Sequence, residues 1–389
     1  MPEVLPWPEV RLGDVCKVVR GSSPRPAGDP RYFGGDFIPW LTVAAITNVS
    51  PSQIVITETV GFLTEEGSRH SRHFQPGMVV IANSGWKCGV AKVLGFECCG
   101  NDGIAALESL TAADPLFLTY WINSQTERLR SQAAAGNEQP NLNTDRIAGL
   151  SLPLPVIAEQ QAIAAALSDA DGVVAGLERV IAKKRLIKQG AMQDLLTARR
   201  RLPGFSGDWE VKKLGELVTI IMGQSPSSTA YNSAGDGLPL IQGNADIKDR
   251  KAITRVFTRQ VTKMGRAGDY LMTVRAPVGE IATTDMDVCL GRGVCALRTD
   301  QRIVYHIMVS KEPEWAKLSK GSTFDSVNGA EIRAFEVFFP ADTAERNAVA
   351  QVLDDMDAEI QTLEARLAKA RAVKEGMMQN LLTGRVRLV

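Results

Sequence analysis

The sequence predicts an α+β protein with two mixed α/β domains in tandem repeat, separated and joined by two long antiparallel coiled-coil helices. Two observations carry this prediction. Residues 189–197 (QGAMQDLLT) and 375–383 (EGMMQNLLT) are near copies of each other, and residues 21–24 (GSSP) and 223–226 (GQSP) match in the same order along the chain. A repeat unit of this length indicates two copies of one domain rather than a solenoid.

Length and composition agree with two soluble domains. The chain has 389 residues, of which 44% are hydrophobic and 23% are charged, as is typical of globular domains. Its 44 basic residues balance 44 acidic residues, which argues against a non-specific nucleic-acid coat protein. No apolar run approaches the roughly 18 residues of a membrane helix, and residues 1–10 lack a signal pattern. We therefore expect no membrane contact and a cytoplasmic location.

The first domain is assigned to residues 1–155 and the second to residues 203–340. Apolar runs bounded by glycine predict strands in both domains; they cover residues 77–82, 90–94 and 104–107 in the first and 269–274 and 294–297 in the second. Asp114 followed by Pro115 predicts the start of a helix that continues to residue 130, because the pair combines an N-cap with proline at the first helical position. Its counterpart is expected at residues 300–317.

Two long helices are predicted in residues 156–202 and 341–389. Apolar residues alternate at spacings of four and three in both segments, which is the heptad pattern of a coiled coil. The seam residues are Ile163, Leu167, Val174, Leu177, Ile181, Val349, Leu353, Met356, Ile360, Leu363 and Leu367. Two copies of one unit usually associate about a two-fold axis, which would make the helices antiparallel. The alternative is two separate amphipathic helices, each packed on its own domain.

The sequence lacks the motifs of common catalytic sites. It contains no G-x-x-x-x-G-K-[ST] phosphate loop, no G-x-S-x-G elbow and no Pro-Pro pair of the kind that an amino-methyltransferase motif requires. The six cysteines form no C-x-x-C pair, and His70 and His73 have no evident third ligand, so no metal site is predicted. We therefore expect a non-catalytic chain whose chemistry is binding.

Basic and polar residues in turn-rich segments are the candidate binding residues. Seven basic residues lie between Lys248 and Arg266 against the single acid Asp249, a pattern that suits phosphate neutralisation but also fits a solvated charged face. Turn-rich segments recur in both halves with different side chains, as expected of two readers of different sequences. The candidate DNA contacts are Ser22, Ser23, Arg25, Thr42, Arg69, Arg72, Asn83, Ser84, Lys87, Gln224, Ser225, Gln242, Asn244, Arg250, Lys251, Arg255, Lys263 and Arg275, with Lys87 and Arg275 preferred.

The chain resembles the specificity subunit of type I restriction–modification systems over nearly its whole length. The resemblance is carried by residues 76–79 (PGMV), 152–155 (LPLP) and 195–197 (LLT) with 201–205 (RLPGF), and in the second copy by residues 268–271 (GDYL) and 381–384 (LLTG). The sequence departs from the family pattern at Met78, where Asp is usual, and at Arg346, where Gln is usual. We expect both residues to have structural roles.

The resemblance implies two target recognition domains that each read one half of a bipartite, asymmetric DNA sequence, with the paired helices as a spacer. Two modification subunits, which are adenine-N6 methyltransferases, and motor-nuclease restriction subunits are the implied partners. It implies no cofactor on this chain, since S-adenosylmethionine, ATP and Mg would belong to those partners. The alternative function is a coiled-coil scaffold or antirestriction regulator that does not bind DNA.

Overall fold

The chain forms two compact units, and a computed structural model describes residues 7–134, 141–319 and 326–388. The first unit comprises residues 1–180 and 363–389, and the second comprises residues 181–362. Each of the two long helices therefore contributes one half to each unit. Each unit therefore consists of one domain assigned from the sequence together with one half of each helical segment.

The first unit contains two sheets and a two-stranded ribbon. Its strands are β1 (Glu9–Arg11), β2 (Lys17–Arg20), β3 (Phe33–Leu41), β4 (Val55–Ile56), β5 (Gly61–Leu63), β6 (Arg72–Phe74), β7 (Val79–Ala82), β8 (Ala91–Leu94), β9 (Cys98–Gly100), β10 (Ile104–Glu108) and β11 (Ser151–Pro153). The order is β2-β10-β7-β8-β4 in the larger sheet and β5-β3-β9-β6 in the smaller, while β1 pairs with β11. The predicted strands at residues 77–82, 90–94 and 104–107 correspond to β7, β8 and β10.

The helices of the first unit pack on both faces of the larger sheet and on the smaller sheet. They are α1 (Leu12–Val15), α2 (Val43–Thr47), α3 (Glu65–Arg69), α4 (Pro115–Ser124), α5 (Thr126–Ala134), α6 (Thr144–Ala148) and the start of α7 (Ile157–Leu195). Val79 and Ile81 pack with Phe117 of α4, whereas Val80 and Ala82 pack on the opposite face with Leu41. Both faces of β7 are therefore buried, which explains its uninterrupted apolar sequence.

The helix predicted from Asp114 starts where expected but is broken. The Asp114 carboxylate accepts the Phe117 N–H at 2.9 Å, with proline at the first helical position. The helix then ends at Gln125, whose N–H bonds to the Ile122 carbonyl, and α5 begins at the next residue. The Asn123 side chain bonds to both backbone groups of Ala91 on β8, so a contact distant in sequence fixes the position of this break.

The second unit repeats the same plan with additional short strands. These are β12 (Trp209–Lys213), β13 (Thr219–Met222), β14 (Tyr231–Asn232), β15 (Leu238–Ile241), β16 (Ile247–Lys248), β17 (Lys251–Ala252), β18 (Phe257–Thr258), β19 (Met264–Gly265), β20 (Tyr270–Thr273), β21 (Ile281–Thr283), β22 (Val288–Leu290), β23 (Val294–Arg298) and β24 (Glu336–Pro340). The sheet orders are β13-β23-β20-β21-β17-β16 and β14-β18-β15-β22-β19, with a β12-β24 ribbon.

The helices of the second unit are α8 (Leu214–Leu217), α9 (Ile303–Ser310), α10 (Glu312–Ser319), α11 (Gly329–Ala334) and α12 (Thr343–Leu381). The single helix expected at residues 300–317 is divided between α9 and α10, which meet at Lys311. The tandem repeat of mixed α/β domains, each followed by a long helix, is confirmed.

Within each unit, the halves of α7 and α12 run antiparallel. In the first unit Asp171 pairs with Lys374 at 2.6 Å and Glu178 pairs with Arg371 at 2.7 Å, so residue numbers rise on one helix as they fall on the other. In the second unit Lys188 pairs with Asp357 at 2.5 Å, and Lys184 pairs with Glu359. The predicted antiparallel pairing is confirmed inside each unit.

None of the predicted seam residues is exposed. Those that are buried are Ile163, Leu167, Val174, Ile181, Val349, Leu353 and Ile360, and those that are partly buried are Leu177, Met356, Leu363 and Leu367. Leu167 shares one core cluster with Leu118 of α4 and with Leu381 at the end of α12. The start of α7 thus packs both on its own domain and on the other helix. The sequence left open whether the helices pair with each other or pack on their own domains, and this segment does both.

A buried polar cluster joins the domain to the helix pair in each unit. In the first unit the Tyr120 hydroxyl donates to Asp171 at 2.7 Å. In the second, His306 Nε2 lies 2.8 Å from the Asp354 carboxylate and Nδ1 lies 4.0 Å from Asp357. Burial lowers the pKa of His306 below its ordinary value, and the hydrogen bond to Asp354 opposes this shift only in part.

The depressed pKa of His306 predicts a pH dependence of stability. The folded protein holds this imidazole neutral, whereas the unfolded chain takes up a proton below its ordinary pKa of about 6.5. The free energy of unfolding should therefore decrease as the pH falls below this ordinary pKa. Replacing His306 with Gln should flatten this dependence, as measured by urea denaturation between about pH 7.5 and 5. Equal pH slopes in the two proteins would show that other groups cause the dependence.

Candidate nucleic-acid interface

Three of the predicted contact segments in the first unit meet at one edge of its sheets. Strand pairing places the end of β2, the start of β10 and the end of β7 at this edge, and the parallel strands β3 and β9 end there too. The Gly21 N–H bonds to the Ile104 carbonyl and the Ser22 N–H bonds to the Gly100 carbonyl, both at 2.9 Å. The Asn83 N–H bonds to Gly103 at 2.9 Å. We call residues 21–25, 42, 83–87 and 101–103 the first loop edge.

The second unit builds the same edge with equivalent backbone bonds. The Gly223 N–H bonds to Val294 at 3.0 Å, and the Val274 N–H bonds to Gly293 at 2.9 Å. On the other side, the Gly291 N–H bonds to the Ile241 carbonyl at 2.7 Å. We call residues 223–226, 242–246, 274–279 and 291–293 the second loop edge. The recurrence of these turn-rich segments along the sequence therefore reflects one shared backbone frame.

The matching glycines Gly21 and Gly223 are required by this frame. A Cβ on Gly21 would lie 2.2 Å from the Asn101 carbonyl oxygen, and a Cβ on Gly223 would lie 2.0 Å from the Gly291 carbonyl oxygen. Any side chain at either position would therefore displace the neighbouring turn. The absence of a side chain at Gly21 and Gly223 therefore lets each segment approach the neighbouring turn this closely.

In the first loop edge, one acidic residue organises the predicted polar contacts. Ser22 is exposed. The Ser23 hydroxyl donates to the Asp102 carboxylate at 2.7 Å, and the Arg25 guanidinium lies 3.4 Å from the same carboxylate. Ser23 and Arg25 thus lie together at this edge, and Asp102 contacts both.

The remaining predicted residues of this edge differ in their access to solvent. Thr42 is the N-cap of α2, although its bond from the Ala45 N–H is long at 3.4 Å. Asn83 is 1% exposed and its side-chain oxygen has no partner among the described residues. Ser84 is partly buried and forms a backbone bridge with Asn141. The Asn83 side chain is therefore buried inside the turn and does not face solvent.

The tip of the segment at residues 83–87 is accessible to solvent. Lys87 is exposed, and its ammonium donates to Asn48 Oδ1 at 3.0 Å and to the Thr47 carbonyl at 3.3 Å. Its neighbour Trp86 is 75% exposed. Among the described residues the acceptors of this ammonium are neutral, and an accessible indole beside such an ammonium is suited to contact a base and a phosphate together.

The predicted basic residues Arg69 and Arg72 lie beside this edge with their charges compensated. Arg72 is in register with Gly100, but its guanidinium lies 3.7 Å from Glu108. Arg69 pairs with Glu65 at 2.7 Å and with Glu66 at 3.1 Å. These pairs reduce the positive potential that the sequence suggested for this segment.

In the second loop edge the predicted polar residues are largely accessible. Gln224, Gln242 and Asn244 are exposed, and Asn244 donates to the Glu280 carboxylate. The Ser225 hydroxyl accepts the Arg292 N–H at 3.1 Å. Arg275 is exposed, and no side-chain partner is found for it in the part of the chain that the structure describes.

The basic cluster between residues 248 and 266 separates into paired and unpaired residues. Arg250 forms a two-pronged bond with Glu312 at 2.6 and 2.9 Å, which raises the pKa of its guanidinium. Arg255 pairs with the buried Asp246 at 2.7 Å. Lys251 and Lys263 are exposed, and within the described residues neither ammonium has a carboxylate partner. These two lysines are therefore available to meet phosphates.

Two residues that the sequence analysis did not single out lie at the centre of the edges. Asp102 lies in the turn between β9 and β10, and Arg292 occupies the corresponding turn between β22 and β23. Both turns precede strands that the sequence predicts correctly. A charged residue next to glycine just before a buried apolar strand is the signal that could have identified them.

The described residues 7–134, 141–319 and 326–388 contain no group of three or more His, Cys, Asp or Glu side chains that could hold a metal ion. Across the same ranges, every helix is too short or too polar to cross a membrane.

Comparison with known proteins places the chain in a family. The family described as type I restriction modification DNA specificity domain matches residues 5–184 and 206–371. A protein of Methanocaldococcus jannaschii named as the type I restriction enzyme MjaX specificity subunit is 28% identical over 293 residues, which span 71% of this chain and 69% of that protein.

Two solved structures have the same fold. A chain from a structure on complex assembly and conformational transition of the type I R-M system is 25% identical, with 98% of each chain covered and a TM-score of 0.61. The type I restriction–modification S subunit from M. genitalium is 14% identical over 98% of this chain and 97% of its own length, with a TM-score of 0.67, which supports the fold alone. With two matched domains and this fold, the chain belongs to the specificity subunits of type I restriction–modification systems.

Proposed function

We propose that each loop edge of this specificity subunit reads one half of a bipartite, asymmetric DNA target. The observation that carries the proposal is the repeated backbone frame. Equivalent hydrogen bonds hold three loops together in both units, while the side chains differ from one unit to the other. One frame carrying two sets of polar side chains suits recognition of two different short sequences.

The chain itself carries out no chemistry in this proposal. Two modification subunits dock on it and supply adenine-N6 methylation with S-adenosylmethionine, and motor-nuclease restriction subunits use ATP and Mg. The repeat of one unit within a single chain supports two equivalent docking places for identical partners. We place the assembly in the cytoplasm, where its DNA substrate lies.

Replacing Arg275 with Ala should weaken binding of the specific target by about 1–3 kcal/mol if its fork contacts a guanine. The reason is that its guanidinium is exposed and has no partner within the described residues. Fluorescence anisotropy with target and scrambled duplexes measures the effect, using the chain in complex with its modification subunits. Lys251 is the matched control, because its loss should weaken both duplexes equally and reduce the salt dependence. Unchanged target preference in the Arg275 variant would exclude it as a base contact.

The alternative function, a scaffold or antirestriction regulator without DNA contact, makes a different prediction in the same assay. A protein that neutralises phosphates loses affinity steeply as salt rises, because it releases condensed counterions. A scaffold would show no affinity at low salt for either duplex. Steep salt dependence combined with preference for one sequence supports the recognition function.

A further inference from the structure

The turns that contain Asp102 and Arg292 are structurally equivalent yet carry opposite charges. The Asp102 N–H donates to the Ser23 hydroxyl oxygen at 3.2 Å, and the Arg292 N–H donates to the Ser225 hydroxyl oxygen at 3.1 Å. The serines belong to the matching GSSP and GQSP segments. One bond therefore fixes the same point of the backbone in both units, and what differs is the side chain that each unit presents there.

The backbone beneath Arg292 is held on several sides. Its neighbour Gly291 bonds to the Ile241 carbonyl, and the Gly293 carbonyl accepts the Val274 N–H. A Cβ on Gly293 would lie 2.1 Å from the Gln242 carbonyl oxygen. Arg292 itself is exposed. A fixed backbone with an accessible side chain is the arrangement that positions a recognition residue accurately.

The donor groups of Arg292 are available for a ligand. Several other arginines of this unit bond to carboxylates, as Arg250 does to Glu312 and Arg298 does to Asp269. Arg292 has no such side-chain partner in the described part of the chain. A planar fork of N–H donors matches the O6 and N7 acceptors that guanine presents in the major groove.

Asp102 offers acceptors in the same position. Its carboxylate takes one bond from the Ser23 hydroxyl and lies beside Arg25, and 43% of the side chain remains exposed. A carboxylate is repelled by DNA phosphates, so its favourable partner on DNA is an exocyclic amino group. Cytosine N4 is the base group that Asp accepts from in the major groove.

We infer that Asp102 and Arg292 are equivalent specificity-determining residues, with Arg292 reading a guanine in one half-site and Asp102 reading a cytosine amino group in the other. This inference rests on the proposed function and adds to it the position in each unit that makes the two half-sites differ.

The test maps methylated adenines in a random-sequence DNA library modified by the full chain with its modification subunits. Arg292→Gln should change the preference at one base pair of one half-site, with guanine discrimination falling roughly tenfold or more. Asp102→Asn should change only the other half-site. Arg292→Lys should relax the same base pair as Arg292→Gln while preserving the salt dependence, because the charge remains and the fork is lost. The control Arg200→Gln, at an exposed arginine outside the loop edges, should leave the target unchanged.

The outcomes separate this inference from the function on which it rests. If the wild-type chain selects a bipartite target and Arg292→Gln leaves every base pair of that target unchanged, the inference is overturned and DNA recognition stands. If either variant changes both half-sites, the assignment of one residue to each half-site is overturned. If the wild-type chain bound to its modification subunits selects no DNA sequence, the proposed function fails, and the inference fails with it.

Discussion

Replacing Arg387 with Ala is expected to lower the free energy of unfolding well beyond the effect of removing an exposed, unpaired arginine, because it leaves a buried carboxylate without its charged partner. Glu159 is 1% exposed at the start of α7. Arg387, which follows α12, forms a two-pronged bond with it, and the Trp7 indole N–H donates to it at 3.1 Å. Urea denaturation followed by circular dichroism measures the change. The loss should be smaller than for a fully buried ion pair, because Arg387 is partly exposed to solvent.

Arg385→Ala is the matched control, since this exposed arginine lies two positions earlier and has no partner among the described residues. It should change stability by less than about 0.5 kcal/mol. The second unit provides a repeat of the experiment, because Arg201 pairs in the same way with Glu345, which is also 1% exposed. Equal stabilities of the Arg387 and Arg385 variants would show that the pair does not hold the end of α12 against the start of α7.

Replacing Leu353 with Ala is expected to destabilise the protein by about 2–5 kcal/mol, the range for a leucine truncated in a packed core. Leu353 lies in α12, is 0% exposed, and belongs to a core cluster with Ile307 of α9 and Met192 of α7. The loss should combine the transfer free energy of the removed methyl groups with a cavity between the helices and the domain. Thermal and urea denaturation measure it.

Leu186→Ala makes the same chemical change on a long helix at a position that is 69% exposed. Its effect should stay within about 0.5 kcal/mol. If the two leucine variants are equally stable, the seam assigned from the heptad pattern is not the packed face of the helices.

Patterns that repeat locally predicted most of the fold. The heptad spacing identified Leu167 and Leu353, and the cap at Asp114 identified the start of α4, because both features are fixed by residues a few positions apart. The break at Gln125 could not be predicted in this way. It depends on the side chain of Asn123 reaching Ala91 in a strand that lies earlier in the chain.

The candidate site was predicted less completely, for a related reason. The loop segments were identified because turn-rich stretches recur in both halves with different side chains, and the structure brings them together at one edge of each unit. The availability of each side chain depends on partners that the fold selects. Arg250 meets Glu312 on a distant helix and Asn83 is buried, whereas Arg275 remains without a partner in the described ranges. Asp102 and Arg292 were missed because the charged residue beside glycine before each strand indicates only a turn, whereas the bonds to Ser23 and Ser225 show that the two turns are equivalent.

The most direct test of whether each loop edge reads one half-site uses DNA that the wild-type chain has methylated together with its modification subunits. The methylated adenines in that DNA are mapped. Two short, different sequences separated by a gap of fixed length and unspecified bases are expected, since the two edges share a frame but differ in side chains. A single uninterrupted or palindromic target, or methylation without sequence preference, would contradict recognition by two separate loop edges.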